Sequence, residues 1–121
     1  QRLSSFLKKY EEYFILPKQL PNTKTGWLAY PITIREIAPF TRTEMQIFLE
    51  KRNIQTRVVF TGNILRQPGF TKIKMKRNKN GYPETDRVMK NGILIGCHQG
   101  LNKKMLSHLE KSIDLFMGAK T

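Results

Sequence analysis

The order of strand-like and helix-like segments limits the fold of this sequence more than any other feature. WLAYPITI (27–34) and TRVVF (56–60) are rich in aromatic and β-branched residues, which favour strands. Between them, TRTE (41–44) has the pattern of a capping box, with Thr41 accepting a hydrogen bond from the backbone of Glu44. Strands joined through a helix run parallel when the crossover is right-handed, so these two strands are predicted to be parallel.

Apolar periodicity predicts three further helices. An amphipathic pattern covers 2–14, a short helix is expected over 82–92, and Asn102 caps a last helix that Gly118 ends. The helix that follows the capping box should run to about Arg52. The chain is therefore expected to begin and end with a helix.

A third strand, Ile93–Ile95, completes the predicted sheet. It can fit between the two parallel strands and run antiparallel to both, as in a split βαβ arrangement. Pro31 has no backbone N–H, so the first strand is expected at the sheet edge. We therefore predict an α+β fold, a two-layer sandwich in which helices cover a three-stranded mixed sheet with strand order 1-3-2.

The composition excludes several classes of protein. The 121 residues fit a single domain over 1–121 with one modest core. The single cysteine, Cys97, excludes an internal disulfide and a multi-cysteine metal site, and it fits the reducing cytoplasm. No apolar run is long enough to span a bilayer, so no membrane partner is expected. Because Gln1 already lies in a helical pattern and no initiator Met precedes it, we expect a piece of a longer protein.

The chain is strongly basic, with 22 Lys and Arg residues against 9 Asp and Glu residues and a formal net charge of +13. Such an excess suggests a polyanionic partner or a phosphorylated ligand. Much of it lies in KIKMKRNKN (72–80), which is typical of a solvated loop or of a nucleic-acid contact. A nucleic-acid-binding module is the less favoured alternative, because TRVVF and ILIG lack the interleaved aromatics of RNA-binding sheets.

The residues alone predict no catalytic group and no metal site. His98 lies between Gly96 and Gly100, in a loop that fits either a close approach to a ligand or a tight turn. His108 is expected on the surface of the last helix. The chain contains no C-x-x-C or H-x-x-x-H spacing and no glycine-rich phosphate loop.

A polar stretch follows the second strand and carries a family resemblance. TRVVFTGNILRQPGF (56–70) closely resembles a segment of the DegT-type family of pyridoxal-phosphate-dependent nucleotide-sugar aminotransferases and dehydrases. Further segments resemble that family in the same order: GWLAYPITI (26–34), TRTEMQIFLEKRNIQTR (41–57) and ETDRVMKNGILIGCHQGLNKKMLSHLEKSIDLF (84–116). The resemblance covers about residues 2–117, with Asn53 where the family has glycine.

The resemblance implies the small C-terminal domain of such an enzyme, as in fold-type I enzymes, without its large domain. The F-x-G-N-x-x-R-Q-P pattern is more similar to the 3-dehydrase branch, of the CDP-4-keto-6-deoxyglucose 3-dehydrase type, than to the aminotransferases. The implied cofactor is pyridoxamine or pyridoxal phosphate, held by the large domain, so this domain alone should bind none and be inactive. Its implied partners are the large domain, a nucleotide sugar and, in the full-length form, a second copy. A stand-alone interaction domain is a further alternative.

The resemblance also implies which residues face the cleft that holds substrate and cofactor: Arg57, Phe60, Asn63, Arg66, Gln67 and His98. Arg66 suits a phosphate oxygen, and Phe60 would pack against the cofactor or the sugar. The alternative for Phe60 is plain core packing. Many relatives have a tyrosine where His98 stands, so the role of His98 stays open.

Two residues beside these are expected to be structural. Val58 and Leu65 should hold the strand and the following loop to the core, because side chains alternate along a strand. Arg57 has a structural alternative as well, as the ion-pair partner of Glu50 or Glu44. The expected division is therefore between polar residues that face the cleft and apolar residues that anchor them.

Overall fold

A computed structural model describes residues 2–121 and confirms the α+β class. The described helices are α1 (Arg2–Leu7), α2 (Arg42–Glu50), α3 (Pro83–Asn91) and α4 (Lys103–Gly118). The described strands are β1 (Phe14–Ile15), β2 (Ala29–Ile34), β3 (Thr56–Val58) and β4 (Gly92–Gly96). Short 3₁₀ turns lie at Lys8–Tyr10, Ile64–Arg66 and Pro68–Phe70.

The prediction of only three strands is wrong, although the three predicted strands lie in the order 1-3-2, as β2-β4-β3, with the third antiparallel to both others. The sheet has four strands in the order β1-β2-β4-β3, and every hydrogen-bonded pair is antiparallel. The extra strand, β1, begins at Phe14, the last residue of the segment 2–14 that was predicted as a helix. Phe14 fits the helical spacing, but its backbone pairs with Ile34 and its side chain is fully buried. Tertiary pairing therefore overrides the local helical pattern after Tyr10.

Pro31 does not mark an edge strand, because β2 lies between β1 and β4. However, β1 pairs only with Thr33 and Ile34. The part of β2 that contains Pro31 therefore has a partner strand on one side only, where Pro31 lies opposite Leu94. A residue without an N–H is tolerated at such a half-paired position.

One face of the sheet, called here the covered face, packs against helices and forms the core. Tyr30, Ile32 and Ile34 alternate along β2 and are buried, as are Ile93 and Ile95 of β4. Helix residues complete the same core, including Leu7 of α1, Met45 and Leu49 of α2, and Ile113, Phe116 and Met117 of α4. Burying such side chains stabilises the fold by roughly 1.5–3 kcal/mol each.

The opposite face, called here the open face, carries the alternate residues of the same strands. Pro31, Leu94 and Arg57 lie side by side in register across β2, β4 and β3. Ala29 and Thr33 continue this face along β2. All five residues are half-buried or exposed, and none belongs to the core cluster. The open face therefore remains available for contacts with another structure.

The predicted helix caps are confirmed. The Thr41 side chain accepts from the backbone N–H of Glu44, and the Glu44 carboxylate accepts from the backbone N–H of Thr41 at 2.8 Å. Asn102 Oδ1 accepts from the backbone N–H of Met105 at 3.0 Å. Lys120, just beyond α4, donates to Glu44 at 2.6 Å and ties the end of α4 to the start of α2. In the part of the chain described, no helix is both long and apolar enough to cross a membrane.

Candidate functional site

The second predicted strand is shorter than expected, and its apolar end is not anchored in the core. β3 ends at Val58, whose surface is 44% exposed, so the expected burial of Val58 is wrong. Val58 lies opposite the fully buried Ile93, but among the residues described β3 is an edge strand with no neighbour on its outer side. Only Thr56 of this strand is buried. Leu65, the other expected anchor, is half-buried.

Phe60 adopts an unusual conformation directly after β3. Its φ angle is 47°, in the left-handed region, and its surface is 74% exposed. The alternative that Phe60 is a core residue is therefore wrong. A left-handed conformation costs a bulky residue roughly 1–2 kcal/mol, so neither the backbone nor the side chain of Phe60 gains stability here.

A cleft of about 510 Å³ brings together three of the six predicted site residues, Arg57, Phe60 and His98. It extends from the open face past the loop that follows β4 to α4. The apolar part of its lining includes Leu28, Leu94, Leu101, Met105 and Leu106. An apolar concave surface with a few polar groups is typical of a ligand site.

Two histidines border this cleft from different elements. His98 is exposed, and its Nδ1 accepts a hydrogen bond from the backbone N–H of Gly100 at 3.1 Å. This contact leaves Nε2 as the ring nitrogen that can donate to a ligand. His108, which was predicted only as a surface residue, is exposed and lies 2.8 Å from the carbonyl oxygen of Arg52. Its position on the cleft was not foreseen, because it depends on packing between α2 and α4.

Arg57 is an exposed residue and lines the cleft. Within residues 2–121, Arg57 forms no ion pair. The structural alternative, an ion pair with Glu50 or Glu44, is therefore wrong. Glu50 instead accepts from the backbone N–H of Thr56 at 2.6 Å and from its hydroxyl at 2.9 Å. These bonds lower the pKa of Glu50, with a smaller contribution from the charge of Arg57. The positive charge at the cleft is therefore available to an anion.

The other predicted site residues do not line this cleft but form a network with α3. The Asn63 side chain is buried, donates to Asp86 Oδ1 at 2.7 Å and accepts from the backbone N–H of Leu65 at 3.0 Å. Arg66 donates to both oxygens of Asp86, at 3.1 and 2.7 Å. These donors, Arg66 first and then Asn63, lower the pKa of Asp86 to about 2. Asp86 therefore remains ionised at neutral pH.

The same loop is held at two further points. Gln67 Nε2 donates to the carbonyl oxygen of Thr61 at 2.8 Å. Gly62 has a φ of 62° and lies so close to α3 that an added Cβ would be 2.4 Å from Met89 Cγ. Asp86 and Met89 were not identified from the sequence, because the contact between Asp86 and Arg66 joins residues 20 positions apart. No local pattern signals such a pair.

The cleft does not by itself fit a covalently bound pyridoxal phosphate. Its lining contains no lysine that could bind an aldehyde, and no Asp or Glu that could act as an acid or a base. Within residues 2–121, no group of three or more His, Cys, Asp or Glu residues could hold a metal ion. The cleft contains groups that can bind a ligand, namely one guanidinium, two imidazoles and an exposed aromatic ring.

Comparisons with curated proteins give relatives much longer than this chain. It is 32% identical over 116 residues to the lipopolysaccharide biosynthesis protein RfbH of Salmonella typhimurium, covering 96% of this chain and 26% of that protein. It is 34% identical over 103 residues to a dTDP-4-dehydro-2,6-dideoxy-D-glucose 3-dehydratase of Saccharopolyspora spinosa, covering 85% and 22%. The chain thus spans about a quarter of the length of these relatives.

Solved structures share the fold. An aminotransferase of the DegT/DnrJ/EryC1/StrS type from Brucella abortus matches with a TM-score of 0.78 at 15% identity, over 95% of this chain and 28% of that one. The Escherichia coli GDP-4-keto-6-deoxy-D-mannose-3-dehydratase with bound hydrated PLP matches with a TM-score of 0.76 at 20% identity, over 91% and 28%. The family model described as the DegT/DnrJ/EryC1/StrS aminotransferase family matches residues 1–114. The chain therefore belongs to the DegT/DnrJ/EryC1/StrS aminotransferase family.

Proposed function

We propose that this chain is the C-terminal domain of a nucleotide-sugar 3-dehydratase and that it forms one wall of the active-site cleft. The observation that carries the proposal is the meeting of Arg57, Phe60 and His98 at one cleft beside the open face. Further support comes from a 34% identical relative that is named a sugar 3-dehydratase and is much longer than this chain. The remainder of the protein is proposed to contain the large cofactor-binding domain.

Each cleft residue has a proposed binding role. Arg57 binds a phosphate oxygen of the nucleotide sugar, since its guanidinium has no ion-pair partner within residues 2–121. Phe60 packs its exposed ring on the sugar or the cofactor. His98 donates from Nε2, because its Nδ1 accepts from Gly100. Together these residues orient the substrate and exclude water from the reacting atoms.

The cofactor chemistry belongs to the large domain. Pyridoxamine or pyridoxal phosphate bound there supplies the electron sink for loss of the C3 hydroxyl. In this proposal the present chain is inactive alone, because its cleft provides no lysine that could hold the cofactor. In this proposal, Asn63, Arg66 and Gln67 belong to the site through the loop that they hold.

The test uses the complete protein, in which this chain is joined to its cofactor-binding domain. Arg57→Gln should raise the KM for the nucleotide 4-keto-6-deoxy sugar by roughly 10- to 100-fold, as expected for a lost charged hydrogen bond. The matched control is Arg87→Gln, because Arg87 pairs with Glu84 on α3 and does not line the cleft. Equal KM values for the two variants would contradict the role of Arg57.

The reaction itself is tested by product analysis. A 3-deoxy keto sugar, formed in the presence of an amino donor or a reductant that restores the cofactor, supports the dehydratase proposal, because replacing the C3 hydroxyl by hydrogen is a two-electron reduction. A product aminated at the ketone, formed only with an amino donor, would instead assign the protein to the aminotransferases of its family. The isolated chain should show no saturable pyridoxal phosphate absorbance band, and a stoichiometric complex would contradict the proposed division between domains.

A further inference from the structure

We propose that Asp86 is a positioning residue of the cleft: through Asn63 and Arg66 it fixes the loop that presents Phe60. This inference rests on the proposed function for the ligand, but its structural part concerns this chain alone. We call the contacts of Asp86 and Met89 with the loop 60–67 the α3 clamp. Asp86, Met89 and the loop residues that they contact, Gly62, Asn63 and Arg66, do not line the cleft, so the clamp acts through Phe60.

Asp86 uses both of its carboxylate oxygens on the loop. Three donors converge on it, one from Asn63 and two from the guanidinium of Arg66, at 2.7 to 3.1 Å. Asn63 is only 4% exposed, and its amide oxygen accepts a hydrogen bond from the backbone N–H of Leu65. Without the carboxylate, the buried amide of Asn63 would lose its acceptor, so the loop would have to rearrange to satisfy it.

The second part of the clamp sets the distance between loop and helix. Gly62 adopts a φ of 62° and leaves no room for a Cβ beside Met89. The carbonyl oxygen of Met89 in turn accepts from Arg42 of α2 at 2.6 Å. Helix α2 buries Met45 in the core. The clamp therefore connects the loop to the rigid layer that covers the sheet.

Phe60 is the residue whose conformation needs this support. It combines a left-handed backbone with a ring that is 74% exposed, and both features are unfavourable for stability. A strained residue persists only when its surroundings determine its conformation. Its own backbone N–H donates to the carbonyl oxygen of Val58 at 2.9 Å. The next determinants along the loop are the bond from Gly62 N to Val59 O at 3.0 Å, the bond from Gln67 to Thr61, and the clamp.

The test of the structural part is amide hydrogen exchange on residues 1–121. Asp86→Asn keeps the shape of the side chain, but it replaces one of the two accepting oxygens by an NH₂ donor and removes the charge that holds Arg66, so the Leu65 amide should exchange at least 10-fold faster. Glu84→Gln is the matched control, because Glu84 forms an ion pair on the same helix without touching the loop. Equal Leu65 exchange in the two variants would overturn the proposal.

The functional part is tested by a double-mutant cycle in the complete protein, with a nucleotide 4-keto-6-deoxy sugar as the probe. Asp86→Asn should raise KM several-fold while kcat changes little. Its effect should disappear in a Phe60→Ala background, because Asp86 acts through Phe60. Independent effects of the two substitutions on KM would overturn the positioning role. If Asp86→Asn unfolds the protein, Arg66→Lys provides the same cycle with the Asp86 carboxylate kept.

The two proposals fail in different ways. Faster Leu65 exchange in Asp86→Asn, together with a wild-type protein that does not act on nucleotide sugars, would overturn the proposed function and support the α3 clamp. Activity on such sugars with unchanged exchange would overturn the clamp and support the proposed function.

Discussion

The two faces of the sheet are stabilised in different ways although they share the same strands. On the covered face, Ile32 and Ile93 are fully buried against helices. On the open face, Leu94 is half-buried and Arg57 is exposed, and Phe60 extends from the end of the adjacent strand. The difference shows that the residues proposed to bind the substrate lie outside the core that stabilises the fold. Residues of the open face can be selected for what they bind, because the covered face holds the fold.

The largest expected effect comes from removing a covered-face aromatic. Phe116 is 2% exposed and contacts the rings of Phe40 and Phe48 at centroid distances of 5.0 and 5.2 Å. Phe116→Ala should lower the free energy of unfolding by about 3–5 kcal/mol, measured by urea denaturation. Leu115→Ala is the control, since Leu115 is 55% exposed on the same helix and should cost far less. Similar losses in the two variants would show that burial in the core under the covered face does not determine stability.

Those parts of the fold that depend on residues close together in the sequence were predictable from the sequence. The capping box of Thr41 and Glu44, the cap at Asn102 and the α+β class follow from local patterns and are confirmed. β1 was not predictable, because its two residues form a strand only through pairing with β2.

The candidate site was predictable only in part, for the same physical reason. Arg57, Phe60 and His98 came from a family resemblance, since the residues alone left a surface loop and a ligand loop equally open. The pairing of Asp86 with Asn63 and Arg66 depends on where α3 packs, which no local pattern reports. Interactions between distant segments therefore account for most of what the sequence did not reveal.

A second prediction examines how tightly the loop beside the open face is held. Gly62→Ala should destabilise the chain by roughly 1–3 kcal/mol, because φ is positive and Met89 occupies the space of the new methyl group. Gly81→Ala isolates the backbone contribution, since Gly81 has a φ of 66° with no atom within 4 Å of its added Cβ. Thermal unfolding should rank Gly62→Ala as the more destabilising. If Gly81→Ala were the more destabilising variant, the loop would not be held against α3.

A third prediction uses pH to test the contacts of Glu44 that join the start of α2 to the end of α4. Lys120, and then the backbone and hydroxyl of Thr41, lower the pKa of Glu44 from 4.5 to about 2. Because the folded-state pKa is depressed, this stabilisation is fully present above about pH 4.5 and is lost as the pH falls through about 2. Glu44→Gln should therefore lose less stability than the wild type over this interval, measured by urea denaturation at each pH. Glu12→Gln, at an exposed turn position, serves as the control and should follow the wild-type profile.

The smallest expected change in stability is at Phe60. Whether it is a gain or a loss is the sharpest test of the division between the two faces. Phe60→Asn removes an exposed ring and places at this left-handed position a residue that tolerates the conformation. We expect the free energy of unfolding to stay equal or to rise by up to about 1 kcal/mol. The same substitution should weaken use of a nucleotide sugar by the complete protein, as a rise in KM. A loss of stability comparable to that of Phe116→Ala would show that Phe60 supports the fold and would contradict the division between the two faces.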